Sequence, residues 1–261
     1  MSERPFSQVV LPLIVAHRGA SAEEAENTLA AFEQAVEVGA GAVEFDVRMT
    51  ADGHAVVMHD PDVDRTTEGA GLVRSMTLAE IERLRIRTSD GGAAGVPTLD
   101  AALALLSGRA AVDIEIKNIP GEPDYDAGRE MAVEAVHAAL TRCSFVGDVI
   151  VTSFNPLSIA ASRALDPTVA TGLLTEHRVD ARAALAFAAD QGHRWVLPFA
   201  GKVFEAGPTL ADEVHGAGLL LGTWITDDLE EAVTLLQAGV DAVATNDPRR
   251  IVPALAKAFP S

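Results

Sequence analysis

Eight short apolar runs recur along the chain, separated by stretches with helical spacing, and this alternation limits the folds open to it. The runs are Leu13 to Ala16, Ala42 to Val47, Ala111 to Ile116, Val149 to Ser153, Val169 to Leu174, Arg194 to Leu197, Leu219 to Ile225 and Ala242 to Thr245. Residues 28–38, 127–140, 156–164 and 229–237 carry the apolar spacing of amphipathic helices. Nearly continuous apolar strands such as Val149 to Val151 suit a parallel sheet covered on both faces. Gly39, Gly192, Gly218 and Gly239 each follow a helical stretch shortly before the next strand, as helix C-terminal residues do. In a chain of 261 residues, this predicts a closed (β/α)8 barrel, one domain spanning 1–261. An open doubly wound sheet is the alternative.

One section breaks the rhythm. The extended run His54 to Met58 is separated from the second strand only by Thr50 to Gly53, so it should fold back as a hairpin arm. Residues 61–97 then carry turn-rich sequence around a short helical piece at Leu78 to Leu84. This segment reads as an insertion on the barrel rim.

The formal net charge is −18, from 38 acidic and 20 basic residues. A field of that sign repels nucleic acid and anionic membrane surfaces, so neither is an expected partner. The single cysteine, Cys143, excludes an intrachain disulfide and reads as a small packing residue at a helix end. Residues 8–16 are apolar but run straight into His17 and Arg18, which reads as a strand. No apolar run is long enough to span a bilayer. No membrane anchor is expected, and the expected location is cytoplasmic.

In a barrel, reacting groups sit where strands pass into the following loops. Here those positions hold His17 and Arg18, then Glu44 and Asp46, then Asp113, Glu115 and Lys117, with Trp224 late in the chain and His59-Asp60 ending the hairpin arm. Residues two apart on a strand share a face, so Glu44 and Asp46 point together, as do Asp113, Glu115 and Lys117. Carboxylates inside a barrel are costly unless paired or bound to a cation. Glu44, Asp46 and Glu115 therefore form a candidate oxygen-donor site for one divalent cation, Mg²⁺ or Ca²⁺, with Mn²⁺ also suited. Structural pairing with Arg18, Arg48 and Lys117 is the alternative, and Asp113, deeper in its strand, reads as structural. His17 and His59 suit proton transfer near neutral pH, while the remaining histidines lack such a setting. Arg18 and Lys117 are candidate phosphate partners. Trp224 is a candidate pocket wall against the substrate.

The ordered series His17-Arg18-Gly19, Glu26-Asn27-Thr28, Val43 to Val47, His59-Asp60 with Arg65-Thr66-Thr67, Ile114 to Lys117, Ser153-Phe154 and Thr245 to Pro248 resembles the glycerophosphodiester phosphodiesterases. That resemblance implies a (β/α)8 barrel with a rim insertion over 61–97. It implies metal ligation by Glu44, Asp46 and Glu115, acid–base roles for His17 and His59, and phosphate contacts from Arg18 and Lys117. The implied partner is a small glycerophosphodiester, cleaved to glycerol 3-phosphate and an alcohol. Three departures stand out: Ala25 replaces the family's usual proline, Asn246 a usual aspartate, and Trp224 to Asp227 a Trp-Thr-Val-Asn run. The last two are expected to touch the rim. A lysophospholipase D or sphingomyelinase D on the same barrel is the alternative activity, and it would want an apolar ledge that residues 61–97 hardly offer. An aldolase or isomerase is poorly served by Lys117, Lys202 and Lys257, the chain's three lysines. A non-catalytic barrel is disfavoured because every expected reacting group is present. Head group, choice of cation, oligomeric state, the nucleophile and the division of labour between the histidines stay open at this stage.

Overall fold

The computed structural model describes residues 12–88 and 91–258. Expectations placed on residues 1–11, including the absence of a leader, and on Ser89 and Asp90 of the rim turn lie outside the described residues.

The described residues open with β1 (Leu13–His17), α1 (Leu29–Glu37), β2 (Ala42–Met49) and β3 (Ala55–Val57). The rim segment carries α2 (Leu78–Ile81), β4 (Ile86–Arg87) and β5 (Ala93–Ala94). Then come α3 (Leu99–Leu106), β6 (Ala111–Ile116), α4 (Met131–Arg142), β7 (Val149–Ser153), α5 (Pro156–Leu165), β8 (Ala170–Thr175) and α6 (Ala181–Asp190). The series closes with β9 (Trp195–Pro198), α7 (Ala200–Ala206), α8 (Leu210–Gly216), β10 (Leu220–Thr223), α9 (Leu229–Gln237), β11 (Ala242–Thr245) and α10 (Pro248–Ala258).

Strands β1, β11, β10, β9, β8, β7, β6 and β2 pair in that order, and β1 also pairs with β2. The sheet is therefore a closed parallel (β/α)8 barrel, not the open sheet. β3 folds back antiparallel on β2 as the expected arm, and β4 pairs with β5 outside the barrel.

Local sequence explains the helix starts. The Thr28 hydroxyl accepts from the Ala31 amide at the head of α1, and Asn155 caps α5 with Pro156 in its first turn. α4 begins at Met131, later than expected, because Gly128 takes φ +87° and cannot lie in a helix. β10 ends at Thr223, short of the expected Ile225. There the chain leaves the ladder after a single parallel bridge between Phe199 and Trp224.

Alternation along the strands divides the core. Val43, Phe45 and Val47 face the helices, where Phe45 lies 5.5 Å from Phe32, while the barrel's lower interior is filled by Leu13, Val15, Ile150, Trp195 and small residues such as Ala42 and Ala242. Gly172 belongs to this fit, because a Cβ there would meet Leu197 Cδ1 at 2.6 Å. The carboxylates lie above this apolar plug. No helix among the described residues is long and apolar enough to cross a membrane.

Candidate active site

The strand register brings the polar residues together. His17 stands opposite Glu44, Glu44 opposite Asp113, and Asp46 opposite Glu115. One carboxylate oxygen from each of Glu44, Asp46 and Glu115 lies within 4.8 Å of the others, and all three side chains are buried. Asp113 sits in the same cavity and accepts from the Thr152 hydroxyl at 2.6 Å.

Burial sets the electrostatics. It pushes Glu44 well above the usual carboxylate range, reinforced by the charges of Asp46, Glu115 and Asp113. Burial also lifts Asp113 to about 7, against the Thr152 hydrogen bond, and Glu115 to about 7, against the Lys117 charge. Asp46 goes the other way. Burial would raise it, but the charges of Lys117, His59 and Arg18 and a hydrogen bond from Asn27 Nδ2 at 2.7 Å hold it below its ordinary value. Lys117 Nζ lies 2.6 Å from Glu115 Oε1 and 3.0 Å from Asp46 Oδ1, and these charges outweigh burial to keep it an ammonium.

Glu44 Oε1 is buried without a hydrogen-bond partner. An orphaned buried carboxylate oxygen beside two further carboxylates is a costly arrangement that a hard cation relieves. The donor set therefore fits a divalent metal site.

His17 Nδ1 lies 2.8 Å from Asn246 Oδ1, and Asn246 Nδ2 donates to Asp227 Oδ2 at 2.8 Å. The second contact turns the amide oxygen towards the ring, so Nδ1 carries the hydrogen and Nε2 has a free lone pair. Asn246, expected at the rim, reaches this inner residue. Burial, then Arg18, lowers the His17 pKa to about 4. His59 Nδ1 lies 2.6 Å from Asp60 Oδ1, and Asp60 is gripped in turn by Arg65 Nε at 2.6 Å. Burial lowers the His59 pKa more than Asp46 raises it. Both shifts favour the neutral ring, while Asp60 beside His59 works towards the charged one.

Arg18 takes φ +57°, which turns its amide onto Glu44 Oε2 at 2.8 Å. Its guanidinium Nε lies 3.3 Å from Asp46, and Nη1 donates to Glu26 at 3.0 Å. The same Glu26 is also bound by Arg65. Asn27 shares this left-handed backbone, and strained residues of this kind cluster at functional sites. Gly19 permits the tight turn, because at φ +81° a Cβ would sit 2.6 Å from the Ala31 backbone.

Trp224 lines the cavity and meets Phe154 and Phe199 edge-on, at 5.1 and 5.6 Å. Lys117 Nζ lies 5.9 Å from the Phe154 ring. All eight expected site residues thus gather at one end of the barrel. Arg48 does not join the acids as the alternative reading had it: it pairs with Glu122 and Asp124. Sequence reasoning gave no site contact to Asn27, Asp60, Arg65, Phe154, Phe199, Asp227 or Asn246. The only available signal for most of them was membership of the motif series. His137, His193 and His215 bond to Ser162, Thr171 and Asp241.

Fold and site define the class: a (β/α)8 barrel with a buried cluster of acidic and basic side chains at the C-terminal ends of β1, β2 and β6, the end where enzymes of this fold carry their active sites. The sequence pattern described as the glycerophosphoryl diester phosphodiesterase family matches residues 17–250. The chain belongs to that family, and its reaction class is glycerophosphodiester hydrolysis. A glycerophosphodiester phosphodiesterase of Caldanaerobacter subterraneus subsp. tengcongensis is 35% identical over 246 residues, covering 92% of this chain and 96% of that protein. A phosphodiesterase of Oleispira antarctica, solved with the product sn-glycerol-3-phosphate, matches with a TM-score of 0.82 at 26% identity, over 94% of this chain and 97% of that one. A glycerophosphodiester phosphodiesterase from Agrobacterium tumefaciens matches with a TM-score of 0.78 at 28% identity, over 92% and 99% of the two chains.

Proposed function

We propose that the chain cleaves glycerophosphodiesters such as glycerophosphocholine or glycerophosphoethanolamine to glycerol 3-phosphate and an alcohol. In this reading one divalent cation is held by Glu44, Asp46 and Glu115, and His17 and His59 form the acid–base pair. The observation that carries it is the buried three-carboxylate cluster, with its orphaned Glu44 oxygen, in the cavity that His17 and His59 also line. The product bound by the Oleispira protein supports glycerol 3-phosphate as the shared half of the substrate.

A bound cation would supply Lewis-acid charge towards the phosphate; hard oxygen ligands suit Mg²⁺, Ca²⁺ or Mn²⁺. Arg18 and Lys117 neutralise the negative charge that builds on the phosphate oxygens. One histidine, as the neutral imidazole, takes the proton of the nucleophile, and the other, entering the step as the imidazolium, gives its proton to the departing alkoxide. Asn246 and Asp60 hold the two rings so that each Nε2 is free for this exchange. Trp224, with Phe154 and Phe199, forms an apolar wall suited to the carbon skeleton of the substrate.

Residues 61–97 are taken as a rim insertion in a single-domain barrel, a reading supported by the β3 arm and the β4–β5 pair lying outside the closed ring. The lysophospholipid alternative gains nothing from that segment: the exposed large apolar side chains among the described residues all lie elsewhere.

The test is glycerol 3-phosphate release from glycerophosphocholine with Mg²⁺ or Ca²⁺, followed by a coupled dehydrogenase. Release blocked by EDTA and lost in Glu44→Ala is the expected result. Undiminished turnover in EDTA would overturn the cation, and full turnover in His17→Ala or His59→Ala would remove that histidine from its role.

A further inference from the structure

Alternation places Arg48 on the inner face of β2, next in line after Glu44 and Asp46, and its side chain is among the largest that are fully buried. A buried guanidinium is tolerated when its donors are matched. Here Nε donates to the His59 carbonyl at 2.8 Å, and Nη1 donates to the Lys117 carbonyl at 3.3 Å and to Asp124 at 2.6 Å. Nη2 donates to Glu122 at 2.8 Å. One planar group thus joins the end of the hairpin arm, the end of β6 and the loop that follows it.

The segments it joins are the ones that carry the chemistry. Each bonded carbonyl belongs to a residue whose side chain reaches the site, His59 from one side and Lys117 from the other. The loop carboxylates balance the guanidinium charge, which leaves Nε aimed at the His59 carbonyl. The same loop is tied down independently: Asn118 Oδ1 accepts from the Asp126 amide at 2.9 Å, and Asn155 Nδ2 donates to the Asn118 carbonyl at 2.7 Å. Arg48 is therefore not needed merely to close that loop.

We infer that Arg48 is a positioning residue that sets His59 and Lys117 in register with each other through their main-chain carbonyls. It touches no reacting atom. Lysine cannot replace it, because a single ammonium lacks the planar fork that reaches the carbonyls and the loop carboxylates together. The inference rests on the acid–base role proposed for His59.

The experiment compares kcat and KM for glycerophosphocholine in the wild type, Arg48→Lys, Asp124→Asn and His59→Ala, with melting curves to show that each is folded. Arg48→Lys is expected to lower kcat by about 10- to 100-fold with KM changed by less than about 3-fold, the scale of a small misplacement of reacting groups. Asp124→Asn keeps the guanidinium on both carbonyls and should stay near wild-type kcat. A purely structural role would lower the melting temperature and leave the kcat of folded enzyme unchanged. Wild-type kcat in folded Arg48→Lys, or an equal loss in Asp124→Asn, overturns the inference. If Arg48→Lys does not fold, Arg48→Gln in the Asp124→Asn background carries the same test, because it leaves less buried charge unpaired. Full activity in His59→Ala would instead defeat the role of His59, so the two failures are distinguishable.

Discussion

Asn246 Oδ1 lies 2.8 Å from His17 Nδ1, although the two residues are 229 positions apart in the chain. Asp227 fixes which way the amide points by accepting from Nδ2. Removing a partner that orients a site imidazole commonly costs one to two orders of magnitude. Asn246→Ala should lower kcat by about 10- to 100-fold with little change in melting temperature. Asn246→Asp should fall between the wild type and Asn246→Ala, because its carboxylate still accepts from Nδ1–H but faces Asp227 without a donor. Wild-type kcat in Asn246→Ala would show that His17 is oriented by something else.

Glu44 links cation binding to stability with opposite signs in the two states. Without a cation its charge is disfavoured by burial, so Glu44→Gln should melt at or above the wild-type temperature in EDTA. With a cation the order reverses. The wild type should gain roughly 2.7 kcal/mol at a hundredfold excess over Kd, and the variant should gain almost nothing. Melting curves with EDTA, Mg²⁺ and Ca²⁺ decide this, and an equal gain in both proteins would exclude Glu44 as a ligand.

Acid should weaken the cation's effect. Asp113 and Glu115 stand at about 7 when folded, above their ordinary 3.8 and 4.5. Raised carboxylates contribute stability that is complete below the unfolded pKa and lost as pH climbs through about 7. His17 acts in the opposite sense. Its pKa falls from 6.5 to about 4, so stability is lost as pH drops through that window and the unfolded chain takes up the proton. Cation binding needs ionised ligands, so protons compete with it. The increase in melting temperature on adding Mg²⁺ should therefore be larger at pH 8 than at pH 6. A pH-independent increase would contradict the raised state of Glu115.

Gly19 is required by space as well as by backbone angle. At φ +81° an added Cβ would lie 2.6 Å from the Ala31 backbone carbon. Gly19→Ala should destabilise by roughly 2–4 kcal/mol in urea unfolding, combining left-handed strain with a backbone clash. A change under about 0.5 kcal/mol would mean that the β1–α1 turn relaxes freely.

Much of the centre was legible because strand geometry is local. A period of two puts Glu44 beside Asp46, and Glu115 beside Lys117, on one face whatever surrounds them. His17 and His59 were legible as polar endings to apolar runs. The hairpin arm announced itself through its short link to β2. The start of α4 and the end of β10 differ from the expected bounds, because apolar spacing runs on through Gly128 and Trp224 and does not mark where the backbone departs.

Sequence by itself thus determined the strand–helix alternation, the inward carboxylate pairs and the candidate reacting groups, since each depends on residues only a few positions apart. Barrel closure decided the rest. It set β1 between β2 and β11, which gave His17 both Glu44 and Asn246 as neighbours. It turned Arg48 away from the acids and onto the loop after β6. It also decided which carboxylates are neutralised and which are pushed up, because desolvation and the positions of Arg18 and Lys117 exist only once distant segments have packed together.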